Sequence, residues 1–356
     1  MNSAIIKSQP RKSAIGKIAG SLVDPSFWIL TPSSTPHAHL PHRAAPRFER
    51  PRCDGRTSKF LAVAGRRSVS RLAMGDFLWL MVLIFLAVSG GLTTTGRADW
   101  IRDFSLGGSY NDNISNSQRG ADVRSDWSSI ATARVGKFTQ LSEALRFTFT
   151  LDLAGQLWMD YPDLNNFETG GTAALRWRFG LGAMAPFLRA EVSAHYAGFG
   201  QDVQNGGRYR GAITLGKRLT ERLEVQAAFL LDSAQAESQV FDQKGIGFVL
   251  RAAFDLTNRT QLTLDYTYRY GAVISYAVPP RPDIVALAND RVALNTFGQP
   301  YVAYNLDATT QGFAVGLNQA LTGNLGCSCR FERWETSRSF LQYTNNVFIL
   351  SFRLSL

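Results

Sequence analysis

The chain has 356 residues, a pI near 9.7 and a formal charge of +10, which in a uniform polypeptide would suggest nucleic acid or an anionic membrane surface as partner. The charge is not uniform. Residues 1–98 hold 14 Lys and Arg against 4 Asp and Glu, while residues 99–356 hold 24 of each sign, so the excess belongs to the leader and no nucleic-acid partner is expected for the rest.

Residues 1–73 are rich in Pro, Ser, Arg and His and lack sustained periodicity, so they are expected to be disordered. A translation start between Val63 and Met74 would leave most of them unmade. Residues 74–98 read as a signal peptide. Arg66, Arg67 and Arg71 precede the apolar run Phe77 to Val88 (FLWLMVLIFLAV), which is short for a membrane span, and Gly96-Arg97-Ala98 supplies small residues for cleavage after Ala98. Export to the periplasm follows from that reading, with an uncleaved anchor as its alternative. Cys53 lies in the leader. Cys327 and Cys329 sit two apart on one expected strand, poorly placed for a disulfide, and with a single His after residue 98 no metal or other cofactor is expected.

From residue 99 to 356 the chain alternates with a period of two. Expected strands in chain order are 100–111, 124–138, 145–159, 166–180, 186–196, 208–218, 223–233, 245–256, 261–271, 307–318, 325–335 and 346–356. The third, LRFTFTLDLAGQL, sets Leu145, Phe147, Phe149, Leu151 and Leu153 against Arg146, Thr148, Thr150, Asp152 and Gln156. Short connections are expected near 139–144, 182–186, 219–222, 257–260 and 321–324. Longer ones fall near 111–123, 160–165, 200–207, 234–244, 275–305 and 336–345. An even strand count with short turns on one side and long loops on the other predicts an all-β fold, a closed antiparallel transmembrane β-barrel of about 12 strands occupying residues 99–356. The apolar face then meets lipid and the polar face lines the lumen. Tyr110, Tyr196, Tyr266, Tyr268 and Tyr270 fall toward the long-loop ends of their strands, and Trp177, Phe179 and Phe138 toward the other, as two interfacial girdles require.

The chain closes with VFILSFRLSL, in which Phe348, Leu350, Phe352, Leu354 and Leu356 alternate to the final residue. This resembles the C-terminal strand of bacterial outer-membrane barrels, which usually ends in Phe. The resemblance implies recognition by a barrel assembly machinery and residence in outer-membrane lipid. GGSYNDNIS in the first strand is similar to the opening of several porin-like barrels, including the barrel part of surface-lipoprotein assembly modifiers, whose upstream helical repeats are not expected in residues 1–98.

Parity places Arg134, Arg146, Arg176, Arg178, Arg189, Arg251, Arg269 and Arg353 inward, with fewer inward acids: Asp152, Glu191, Glu224, Asp255 and Asp265. An arginine-weighted lumen predicts a channel for small solutes with a weak preference for anions. Pairing of these charges across strands, filling a narrow lumen, is the competing structural reading. A scaffold or secretion barrel serving a separate partner is a second functional reading. The third is an outer-membrane acyl hydrolase. Ser193, His195 and Glu191 share one strand face, and a Ser, His and acid set supports acyl transfer when the base reaches the nucleophile. The outer-membrane phospholipases carry His-x-Ser, whereas the order here is Ser193-Ala194-His195, and the chain is not expected to be an enzyme. In the 275–305 loop, Pro279, Pro280 and Pro282 precede Asp283, which is expected to cap a short helix carrying Ile284, Leu287, Ala288 and Arg291. That loop is expected to constrict the mouth or to form a partner-binding flap.

Overall fold

The computed structural model describes residues 100–356; the leader and the signal-peptide motif lie outside the described residues. Thirteen strands follow one another. They are β1 (Trp100–Asn111), β2 (Asp126–Gln140), β3 (Leu145–Trp158), β4 (Asn166–Arg178), β5 (Phe187–Phe199), β6 (Gly206–Arg218) and β7 (Leu223–Ala236). After them come β8 (Gln243–Asp255), β9 (Thr260–Ala277), β10 (Asp290–Leu294), β11 (Tyr301–Ala320), β12 (Leu325–Arg338) and β13 (Leu341–Ser355). Twelve form a closed antiparallel ring, because β9 pairs directly with β11 and β13 pairs back onto β1 from Asp103↔Ser355 to Asn111↔Val347. The extra strand, β10, lies beside the start of β11, past the point where β12 ends. Closure leaves the ring no free edge, as a bilayer demands.

The ring is inverted relative to a water-soluble sandwich. On β3, Leu151 is 61% exposed while its neighbour Thr150 is 5% exposed. Phe147 and Phe149 on β3, Ile213 and Leu215 on β6, and Phe348, Leu350 and Phe352 on β13 are likewise exposed, whereas Thr172, His195, Asp265 and Thr267 are buried on the other face. Leu356 is also exposed, and Leu354 half-buried, at the foot of the same ladder. Outer aromatics pair at both rims: Tyr110 with Trp127 at 4.9 Å, and Trp177 with Phe179 at 4.8 Å. Phe138, expected in the lower girdle, instead shares the inward parity of Ser128 and Arg134, and its ring lies under the guanidinium of Arg146.

Loop length sorts the two ends with exceptions. The turn at 179–186 is longer than expected for its side. The expected loop 336–345 is a tight hairpin, with Arg338 paired to Leu341 around Ser339 and Phe340, and Ser339 in the left-handed region at φ 50°. What unites the long-loop end is packing. Three of its loops share one device, a 3-10 turn followed by an Asn or Asp that accepts the last strand N–H: Trp158 to Asn165 (2.7 Å), Phe199 to Asn205 (2.6 Å) and Ala236 to Asp242 (2.8 Å).

Above the ring, β9 and β11 continue as a hairpin with both faces buried. One face sets Ile274, Tyr276, Tyr301 and Ala303 against Ile114, Trp158, Val240, Phe241 and Phe297. The other sets Val273, Ala277, Tyr304 and Leu306 against Ile284, Leu341 and Tyr343. Past Gly271 the edge of β9 has no β8 partner, and the loop after β1 covers it: the Tyr276 N–H donates to Ser115 O at 2.9 Å and the Asn116 amide donates to Ile274 O at 2.9 Å. The segment between the two strands holds β10 and, ahead of it, a one-turn helix, Pro282–Val285. Arg281, not Asp283, stands at its N-cap, and Arg291 lies on β10 rather than on the helix.

Candidate functional site

The inner wall is the surface on which the chain concentrates its charge. Strand parity delivers Arg134 beside Asp152 on adjacent strands, and the pair closes at 2.5 Å. Thr172 Oγ1 donates to Asp152 at 2.7 Å and His195 Nε2 lies 3.4 Å from it, so this carboxylate joins β2, β3, β4 and β5. A second hub lies at Asp265, held by Arg251 at 2.5 Å and Arg330 at 2.6 Å, with Glu332 on Arg330 in turn. Arg353 pairs with Asp103 (2.6 Å), Arg269 with Asp232 (2.7 Å), Arg208 with Glu168 (2.5 Å), Arg189 with Glu191, and Arg218 with Asp255 (3.4 Å) and Glu224 (3.9 Å). The inward acids of the described strands thus have arginine partners, except Asp126 at the top of β2, which accepts the backbone N–H groups of Trp127, Asp160 and Tyr161 instead. Such pairs stiffen the wall and cancel its field locally.

One group is not cancelled. Arg146, Arg176 and Arg189 stand abreast on β3, β4 and β5, each directly opposite the next, close to the short-turn end of the ring. Arg178 follows at the rim of β4 and is exposed. Arg189 has Glu191. Arg146 and Arg176 make neither a salt bridge nor a hydrogen bond among the described residues, Glu224 acting on Arg176 only from a distance, and the Nε of each is buried and unsatisfied. Aromatic faces hold them instead: Arg146 lies 5.0 Å from the Phe138 ring centroid and Arg176 3.9 Å from that of Phe187. Like charges directly opposite on neighbouring strands destabilise a sheet. The wall carries this cost at one place only among its described residues.

At the other end the crown is pinned by a buried cation. Arg281 is 1% exposed, donates to Asp122 at 3.0 Å and to Asp283 at 2.9 Å, and so ties the loop after β9 to the loop after β1. The hydrogen bond from Arg281 holds the Asp283 carboxyl down at about 2.

No protein-family model matches the chain, and no curated protein matches it. Among solved structures the ring superposes on an outer membrane channel from Pseudomonas putida F1, with a TM-score of 0.50 and 11% identity over 75% of this chain and 98% of that one. Weaker likenesses include the NanC porin (TM-score 0.39, 11% identity, 71% of this chain and 100% of that one) and an anion-selective porin from Comamonas acidovorans (0.32, 8%, 72% and 98%). The fold is that of the outer-membrane β-barrels.

Within this barrel the expected lining residues keep their parity, but pairing removes most of them from the free charge. Arg134, Arg251, Arg269 and Arg353 are neutralised, and at the short-turn end the unbalanced positive charge narrows to Arg146, Arg176 and Arg178, with Arg338 at the opposite end of β12 also lacking an acid partner. Asp103, Glu168, Asp232, Arg208, Arg218, Arg330 and Glu332 were absent from the sequence-based lining set. Those on β6 were legible, since Arg208 and Arg218 alternate with the outward Tyr209, Ile213 and Leu215. Those on β12 were obscured by Arg333 and Glu335, which form an exposed pair on the outward face. Of the hydrolase set, Ser193 lies opposite Thr172 and Arg210, Glu191 bonds Arg189, and His195 is turned to Asp152.

Proposed function

We propose that the chain is an outer-membrane channel for small solutes that prefers anions. The observation that carries this reading is the asymmetry of the inner wall: the inward acids below the crown are paired with arginines, whereas Arg146, Arg176 and Arg178 have no salt bridge. A water-filled lumen bounded by apolar, low-dielectric walls lets such uncompensated charges raise the local anion concentration. The packed crown limits the size of what enters. On this reading the solutes are the partners that matter. The mature chain reaches the membrane after export, and the lipid-facing ladder Phe348, Leu350, Phe352, Leu354 and Leu356 is what the assembly machinery binds.

The test is the reversal potential of the purified chain in a planar bilayer under a KCl gradient. Anion selectivity is expected, and Arg146→Glu with Arg176→Glu should carry it to cation selectivity. Cation selectivity of the unaltered chain, or no current at all, would defeat the reading.

A further inference from the structure

We infer that Arg146 and Arg176 form a discrete binding site for a small oxyanion, a carboxylate or phosphate, on the lumen wall. The inference rests on the channel reading for access to the site and goes beyond it in naming a place and a ligand chemistry. A diffuse preference needs only net charge. Here two guanidinium groups are set directly opposite one another across β3 and β4, with Arg189 next in the same row on β5. The row ends in uncharged residues, Gln140 beside Arg146 and Thr214 beside Arg189.

Elsewhere on the wall Arg134, Arg251, Arg269 and Arg353 are each joined to an acid. Arg146 and Arg176 make no hydrogen bond among the described residues, and each keeps a buried Nε–H without an acceptor. An unsatisfied buried donor is costly, more so when charged. The Phe138 and Phe187 rings lie against the two groups, 5.0 and 3.9 Å from Cζ to ring centroid, and an aromatic face offers a guanidinium no hydrogen-bond acceptor of carboxylate strength. An oxyanion with two or more oxygens supplies acceptors to the terminal N–H groups of both forks and relieves the repulsion between them. Glu191 is held by Arg189, and Glu224, which faces Arg218 and accepts from Gln226 at 2.8 Å, acts on Arg176 from a distance but makes no hydrogen bond to it. Chloride, a single atom, can accept from both groups but cannot match the two-pronged edge of either with paired oxygens.

Two measurements on the purified full chain in detergent and in planar bilayers separate this inference from the channel reading. Inorganic phosphate and the dicarboxylate malonate are titrated by calorimetry, with chloride as background, and each is then added to the bilayer in KCl. Saturable one-site binding is expected, together with a saturable fall in chloride current. Arg146→Gln and Arg176→Gln should each weaken binding at least about tenfold, the factor that corresponds to losing one charge-assisted hydrogen bond. Arg176→Lys keeps the charge but loses the fork, and should weaken binding while selectivity is kept. Arg353→Gln, on the far side of the seam, should leave binding unchanged. Heat-modifiable gel mobility checks that each variant still closes its ring. Binding without current would keep the site and remove the channel. Current with no saturable binding, or binding unchanged in both Gln variants, would overturn the site.

Discussion

The ring wall and the crown obey the same rule with opposite signs. In the wall, Leu151, Phe229 and Leu350 point outward and Asp152, His195 and Asp265 point inward, because the outside solvent is hydrocarbon. In the crown, Phe297, Tyr276, Tyr301 and Ile274 close on one another, because both sides of that layer are wet. The inversion occurs within single strands. On β13 the residues that face inward at the top are Leu341 and Tyr343, packed in the crown, whereas the outward residues at the same level are Gln342 and Thr344. Lower on the same strand the outward residues become Phe348, Leu350 and Phe352. Polarity therefore reports the level of the membrane surface as well as the face of the strand.

Three predictions sharpen this comparison. The largest effect is expected in the crown, where Phe297 meets Tyr161, Tyr276 and Tyr301 at 4.8 to 5.3 Å. Phe297→Ala should cost about 3–5 kcal/mol of local stability. Hydrogen exchange should show residues 272–306 losing protection while β3 to β7 keep theirs. Equal loss in both would mean that wall and crown are one cooperative unit. Next, Leu151→Arg on the lipid face should cost about 2–4 kcal/mol in reversible refolding into vesicles. Ala253→Arg, on the inward face of β8 opposite Glu224, should cost well under about 1 kcal/mol. A reversed order would place the faces the other way round.

The smallest effect concerns acid. The Asp283 carboxyl is held at about 2 against an ordinary 3.8, so the stability it lends the crown is complete above 3.8 and is lost as pH falls from there toward 2. Pepsin cleavage within residues 278–300 should therefore accelerate across that interval. In Asp283→Asn the acceleration should flatten, with faster cleavage already at pH 4. A pH profile identical to that of the unaltered chain would separate Asp283 from the pinning of the crown.

The barrel was legible wherever one face of a strand meets lipid. The bounds of β1 match the alternation residue for residue, and β3, β4 and β7 differ by a few residues at one end. Legibility failed where both faces are covered. Alternation on β9 stops at Gly271 because the following residues, Ala272 to Ala277, are buried on both sides, and a two-sided strand has no wet face to mark it. The same holds for Tyr301 to Leu306 at the start of β11. The hairpin at Ser339 was hidden for another reason: TSRSFLQYTN is polar where it faces water, which composition alone reads as a loop. Among the site residues, inward placement followed from parity, but the division into paired and unpaired arginines did not. Arg330 reaches Asp265 across the intervening β11, and no periodicity along one strand encodes a partner two strands away.

The seam between β1 and β13 joins the first described strand to the last, and the N–H of Leu356 donates to Arg102 O at 2.9 Å. A ring fastened this way has no stable subset: until the final fifteen or so residues arrive, an open row of amide groups must be kept from the hydrocarbon. Loss of the tail would therefore not merely shorten the wall. It would leave a gutter in place of a tube, and the whole circumference would be forfeited with one strand.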